Sequence, residues 1–153
     1  MKKTLQVLGI VFVALLLLVG GFIGYAAYTG SQLDASSKEY VDAAIPAIVG
    51  NWSEAELTTR NAPQLMRGST PEQLTKLFQW FSRLGPMTKY CGSKGASNVF
   101  ISPQQGKTIS AKYTACAKFE KGDATINVTL VQNKDKTWAI AGFHVDSPAL
   151  LPQ

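Results

Sequence analysis

Strict alternation across residues 108–146 constrains the fold of this chain more than any other feature. The stretch reads as three strands joined by two tight turns, Glu120-Lys121-Gly122-Asp123 and Asn133-Lys134-Asp135-Lys136. With the first turn centred between Lys121 and Gly122, Phe119 faces Ala124, Ala117 faces Ile126, Ala115 faces Val128 and Tyr113 faces Leu130. These apolar or small residues alternate with Lys112, Thr114, Lys118, Thr125, Asn127 and Thr129. A slip of one residue would exchange the faces, so pattern and register support each other. A four-residue second turn sets Val128 opposite Ala141, Ile126 opposite Phe143 and Ala124 opposite Val145. The predicted product is an antiparallel meander with one buried face.

A second feature fixes the address. Residues 5–28 form 24 positions without a charge, interrupted only by Gln6 and preceded by Lys2 and Lys3. That length spans a bilayer as a helix, and the lysines hold its start in the cytoplasm. A cleaved signal peptide is the alternative, with Gly24-Tyr25-Ala26 as the best cleavage site. No cysteine near its end permits lipoprotein attachment. Gly20-x-x-x-Gly24 is the spacing that lets two such helices approach closely, although one such pair is common in membrane helices. The predicted organisation is a cytoplasmic start (1–4), a signal anchor (5–28), a linker (29–35), an exported α+β domain (36–147) and a loosely ordered tail (148–153).

Within the exported part, Ser36-x-x-Glu39 and Ser53-x-x-Glu56 read as capping boxes opening helices. The first helix carries Tyr40, Val41, Ala44, Ile45, Ile48 and Val49 on one stripe, is kinked at Pro46 and stops at Gly50-Asn51. Trp52 is expected to fold back onto the core. Ala62 to Met66 is a turn that buries Leu65 and Met66. Thr70-Pro71-x-Gln73 starts the clearest helix, with Leu74, Leu77, Phe78, Phe81 and Leu84 on one face and Gly85-Pro86 as its stop. Met87 to Cys91 begins a strand, Gly92 to Ser97 reads as a bulge or loop, and Asn98 to Ser102 resumes it.

Charge excludes little except a nucleic-acid reader. Of the formal +5, two charges are Lys2 and Lys3, leaving 13 basic and 10 acidic residues from Thr29 onward. The lysines fall in turns and on the outward face, without the dense basic stripe and interleaved aromatics of nucleic-acid proteins.

Two cysteines in an exported chain point to a disulfide. A hairpin turning at Gln105 sets Ser102 opposite Thr108, a register that brings Cys91 beside Cys116 on the neighbouring strand. Neither the four-ligand spacing of zinc sites nor a Cys-x-x-Cys redox pair is present.

The order of elements resembles the nuclear transport factor 2-like (cystatin-like) superfamily. Asn51-Trp52, Leu57, Ala62-Pro63-x-Leu65, Pro71-Glu72-Gln73-Leu74, Leu84-Gly85-Pro86, Thr108 to Phe119 and Trp138-x-Ile140-x-Gly142-Phe143-His144-Val145 are similar to a group of small exported bacterial proteins of unknown function. The resemblance implies a bacterial inner-membrane setting with the domain in the periplasm, and helices packed on one face of a curled, cone-shaped sheet. It implies no activity, since such folds serve isomerases, dehydratases, carriers and scaffolds alike.

In enzymes of that superfamily an acid or a histidine projects into the cone. Here the register places Trp138, Ile140, Gly142, His144 and Asp146 outward, with His144 in a row with Thr125 and Lys118. The inward set (Tyr113, Ala115, Ala117, Phe119, Ile126, Val128, Leu130, Ala139, Ala141, Phe143, Val145) offers one polar group, the Tyr113 hydroxyl. No residue is assigned a catalytic, cofactor-binding or metal-ligating role, and no cofactor is implied. Val131, Trp138 and Ile140 form an outward apolar patch: an interface for a second copy or a partner protein, or a surface covered by the tail from Pro148 to Pro152. The expected role is a membrane-tethered binding or interaction module. The alternatives are an isomerase- or hydrolase-like enzyme using Tyr113 and His144, which needs the last strand shifted by one residue, and a binder of anionic headgroups or cell-wall polymer through Lys112, Lys118 and Lys121.

Overall fold

The alternating stretch builds the sheet, and its neighbours extend it. In the computed structural model, which describes residues 2–151, four antiparallel strands lie side by side in chain order: β1 (Met87–Ser102), β2 (Gly106–Phe119), β3 (Gly122–Gln132) and β4 (Trp138–Asp146). Four α-helices precede them, α1 (Lys2–Val49), α2 (Glu54–Thr59), α3 (Pro63–Gly68) and α4 (Pro71–Phe81), the last followed by a 3₁₀ turn (Ser82–Leu84). The class is α+β. Met1, in the predicted cytoplasmic start, and Pro152 and Gln153, in the predicted tail, lie outside the described residues.

The chain divides into two units, 1–33 and 34–153, a boundary that falls within the predicted 29–35 linker. In the first unit the helix is long and apolar enough to cross a membrane, with a mean hydropathy of 2.5 in its most apolar window. Phe12, Leu17, Leu18, Phe22 and Tyr25 are all exposed, which suits hydrocarbon and not water. Residues 31–45 contain no glycine or proline, so nothing ends the helix where the linker was expected. Ser36 therefore caps no helix; its Oγ accepts the Trp138 Nε1–H at 3.1 Å.

The second unit holds the core. Ser37, Val41, Ala44, Ile45, Ile48 and Val49 recur every three or four positions and are all buried. Ser53 caps α2 by accepting the Glu56 N–H, and Thr70 and Gln73 form the predicted capping box of α4. Leu74, Phe78, Phe81 and Leu84 are buried as expected, whereas Leu77 and Met66 are exposed. Trp52 sits at φ 52°, a left-handed conformation that a large residue rarely adopts. Its ring stacks on Phe119 with centroids 4.9 Å apart, meets Phe81 at a tilt with centroids 5.7 Å apart, and donates from Nε1 to the Gly85 carbonyl at 2.9 Å.

The registers refine the expected ones. The β2–β3 turn has only Glu120 and Lys121, so Phe119 pairs with Gly122, Ala117 with Ala124, Ala115 with Ile126 and Tyr113 with Val128. This is two residues from the expected pairing and keeps every side chain on its predicted face. The β1–β2 hairpin closes with Ser102 opposite Gly106, again two residues tighter.

The β3–β4 hairpin corrects the sequence reading. Its loop takes five residues, through Thr137, so Gln132 pairs with Trp138 and Leu130 with Ile140. The fifth residue reverses the faces at the start of β4: Trp138 (8% exposed) and Ile140 (0%) are buried, and Val131 is half-buried. Ala141 is then an unpaired extra residue, which returns Phe143 and Val145 to the inner side opposite Val128 and Ile126. The expected outward patch of Val131, Trp138 and Ile140 does not exist. The described start of the tail is tied to the domain: Ser147 Oγ donates to the Asp123 carbonyl at 2.6 Å, and the 3₁₀ turn Pro148–Leu150 buries Leu150.

Gly92 to Ser97 is no loop but part of the continuous β1. Its glycines serve two local needs: Gly92 (φ 97°) follows the bulged Cys91, and a Cβ on Gly95 would lie 2.0 Å from the Lys112 carbonyl.

Trp138→Ala should lower the unfolding free energy by about 3–5 kcal/mol, measured by urea unfolding of the detergent-solubilised chain. A Trp138 lying on the surface would give a change within about 0.5 kcal/mol.

Candidate functional site

The β-bulge at Cys91 brings the two cysteines together. Tyr90 pairs with Ala117 and Gly92 with Cys116, leaving Cys91 as the extra residue beside Cys116. The sulfurs are 2.7 Å apart, and Cys116 Sγ donates to Cys91 Sγ. The expected Cys91–Cys116 bond is not formed in this structure: both cysteines are free thiols, further apart than the ~2.05 Å of a sulfur–sulfur bond. The hydrogen bond to Cys91, with a smaller contribution from burial, raises the pKa of the Cys116 thiol.

These thiols border a cleft of about 550 Å³ whose walls include Lys38, Ser93, Lys94, Thr114 and Thr125. One wall is a polar network that ties α1 to β1. Lys38 Nζ donates to Asp42 Oδ2 at 2.6 Å and to the Ser93 carbonyl at 3.1 Å. Asp42 Oδ1 accepts from Ser93 Oγ at 2.6 Å and from the Tyr90 hydroxyl at 2.8 Å. Partial burial pushes the Asp42 carboxyl up, but the hydrogen bonds from Lys38, Ser93 and Tyr90 outweigh it and hold the group below the usual carboxylate range. Tyr90 moves well above its ordinary value, first through burial and then through its bond to the Asp42 carboxylate. One turn before Lys38, Asp34 Oδ1 accepts the Ser97 N–H at 2.7 Å and the Ser97 Oγ–H at 2.5 Å.

This network could be mistaken for a serine–lysine nucleophile pair. Ser93 Oγ, however, gives its proton to Asp42, and the Lys38 ammonium is a donor in each of its contacts. A nucleophile needs a base that accepts its proton toward the reacting centre. These groups clamp a helix to a strand.

Tyr113 is buried on the inner face as predicted (3% exposed), but its hydroxyl opens into no cavity. It lies 2.9 Å from Ser37 Oγ and 3.0 Å from the Asp34 carbonyl. His144 is exposed on the outer face, as expected, with Nε2 3.0 Å from Asp146 Oδ1. Its row is not that of Thr125 and Lys118, because the Ala141 bulge pairs it with Asn127. Asn127 Nδ2 donates to Asp146 Oδ2 at 3.1 Å, and Thr114 Oγ1 donates to Asn127 Oδ1 at 2.8 Å. Tyr113 and His144 therefore lie on opposite faces of the sheet and share no site. Of Lys112, Lys118 and Lys121, Lys118 pairs with Asp123 at 3.5 Å.

Every buried side-chain nitrogen or oxygen among the described residues has a hydrogen-bond partner. No group of three or more His, Cys, Asp or Glu side chains suited to a metal ion occurs among them. The clamp residues Asp34, Lys38 and Asp42 were not singled out from sequence, although their four-residue spacing puts three charges on one helix face. The chain matches no protein-family model, no curated protein and no solved structure.

Because the folded state holds Asp42 below its ordinary value of 3.8, the network stabilises the protein above that pH and loses its contribution as the group protonates on acidification. Urea unfolding between about pH 3 and pH 6 should therefore show stability falling toward acid, with a shallower fall in Asp42→Asn. Equal slopes would show that the carboxylate does not carry this part of the pH dependence.

Proposed function

We propose that this chain is a membrane-tethered extracytoplasmic binding module that performs no chemistry of its own. The observation that carries the reading is the Tyr113 hydroxyl, the one polar group expected on the inner face, which is used up by Ser37 and the Asp34 carbonyl. An acid–base enzyme in that interior would need a titratable pair facing a substrate space. The accessible polar chemistry lies outside, in the cleft beside Cys91 and Cys116, whose lining includes Lys38, Lys94 and Thr114. That lining suits a polar partner carrying negative charge.

The remaining parts follow the same reading. The 5–28 helix is an uncleaved anchor of a bacterial inner membrane, with Lys2 and Lys3 on the cytoplasmic side and residues 34–153 in the periplasm. The sheet with its helices is a cone-shaped, cystatin-like arrangement of the nuclear transport factor 2-like superfamily, supported by four antiparallel strands in chain order and by α1 residues 34–49 in the core. In that oxidising compartment the apposed thiols exchange with a disulfide-bearing oxidant, which takes their two electrons and two protons and leaves a Cys91–Cys116 bond.

Extracted from membranes without reductant, the chain should have its full-length mass less two hydrogens. Replacing both cysteines by serine should lower stability by about 3–4 kcal/mol relative to the oxidised form. A shortened chain would contradict the anchor, and free thiols in the exported protein would contradict the bond. Thr114→Trp, which fills the cleft from its wall, should reduce recovery of partners cross-linked in intact membranes at least tenfold. Undiminished recovery would remove the cleft as the binding surface.

A further inference from the structure

We infer that the free end of the β1–β2 hairpin is a membrane-contact element, which places Val99, Phe100 and Ile101 in the interfacial layer of an anionic bilayer. The inference rests on the reading of residues 5–28 as an anchor in that same bilayer.

The first observation is a ribbon without support. β2 pairs with β3 only from Ser110, opposite Val131, to Phe119. Residues 99–109 therefore pair only with one another, and Val99 (47%), Phe100 (70%) and Ile101 (76%) are exposed. These three are the exposed large apolar residues of the whole sheet. Strand alternation sends Phe100 to one side and Val99 and Ile101 to the other. A flat protein surface covers one side of such a ribbon, whereas an interfacial lipid layer surrounds both.

The second observation is charge. Met87–Phe119 contains Lys89, Lys94, Lys107, Lys112 and Lys118 and no acidic residue. Only Lys118 of these has an ion pair among the described residues. Lys107 stands opposite Ile101 and Lys112 opposite Ala96, while Lys89 and Lys118 pair at the far end of the ribbon. Exposed apolar side chains with lysines beside them and no acid are the combination that binds anionic lipid surfaces.

The third observation is reach. β1 runs antiparallel to the 34–49 helical segment: Ser93 meets Lys38 and Asp42, and Ser97 meets Asp34. Past Ser97 the ribbon continues toward the end of this unit where the chain arrives from the apolar stretch. Five residues, 29–33, lie between Tyr28 and Asp34, a length of chain that can span at most about 20 Å. Ile101 lies four residues beyond Ser97, about 13 Å of strand.

The test uses the full chain in vesicles of phosphatidylethanolamine and phosphatidylglycerol, with brominated lipids as quenchers of tryptophan emission. Phe100→Trp and, at the opposite end of the meander, Lys121→Trp each add a fluorophore at an exposed position. The inference predicts at least twofold quenching of the emission added at Phe100→Trp and none of that added at Lys121→Trp. It also predicts at least a twofold weaker effect in vesicles of phosphatidylcholine alone. No quenching at Phe100→Trp, with the chain retained in the vesicles through alkaline carbonate washing, overturns the inference and leaves the anchor standing. Release of the chain by that wash overturns the anchor and the inference together. Equal quenching in the two lipid compositions overturns the role of negative charge. A blue shift that appears in detergent and grows with protein concentration assigns the ribbon to a second copy of the chain and overturns the lipid assignment.

Discussion

The seat of residues 34–49 on the sheet is the constraint on which the other features depend. Val41, Ala44, Ile45, Ile48 and Val49 are buried along that segment, and burying each of the larger ones contributes about 1.5–3 kcal/mol. Apolar burial has no direction, so it does not set the position of a helix along a strand. Three polar attachments do: Asp34 to Ser97, Asp42 to Ser93 and Tyr90, and Ser37 to Tyr113. Each hydrogen bond contributes only about 1 kcal/mol net, but an unpaired buried partner costs more, so sliding the helix by one turn would break all three. Ser36, receiving the Trp138 indole, fixes the same segment against β4.

From that seat the edges of the sheet follow. On β4 the Ile140 N–H donates to the Arg60 carbonyl at 2.8 Å, and its carbonyl accepts the Ala62 N–H at 2.7 Å, so the loop before α3 covers this edge. On the β1 edge, among the described residues, the Met87 N–H donates to the Gly50 carbonyl, Lys38 donates to the Ser93 carbonyl and Asp34 accepts the Ser97 N–H. Beyond Ser97 it is open. An open, apolar strand edge invites association, and a chain that retains one has a surface or a partner to meet it.

Much of this was legible in the residues, and the rest was hidden for identifiable reasons. The faces of β2 and β3 were readable because an error of two residues in register preserves side-chain parity. The face of Trp138 and Ile140 was not, because parity there depends on whether Thr137 belongs to the loop, and alternation cannot count loop residues. The two local changes nearly cancel: the fifth loop residue turns Trp138 inward, and the Ala141 bulge turns His144 outward again. Thus the expected exposure of His144 stands although the register that predicted it does not. Gly92 and Gly95 looked like a loop by composition, yet one follows a bulge and the other gives a neighbouring backbone room. The closeness of Cys91 and Cys116 was legible from hairpin arithmetic alone; the clamp network was not, because a spacing of four says which charges share a helix face but not which strand they meet.

On the proposed reading, residues 34–153 lie across a membrane from Lys2 and Lys3. Labelling of intact cells with a membrane-impermeant maleimide tests that placement most directly. Cys91 and Cys116 should stay unlabelled until an impermeant reductant is added and should then both be modified without permeabilising the cells. Labelling that requires permeabilisation would contradict the placement, and full labelling without reductant would contradict the Cys91–Cys116 bond.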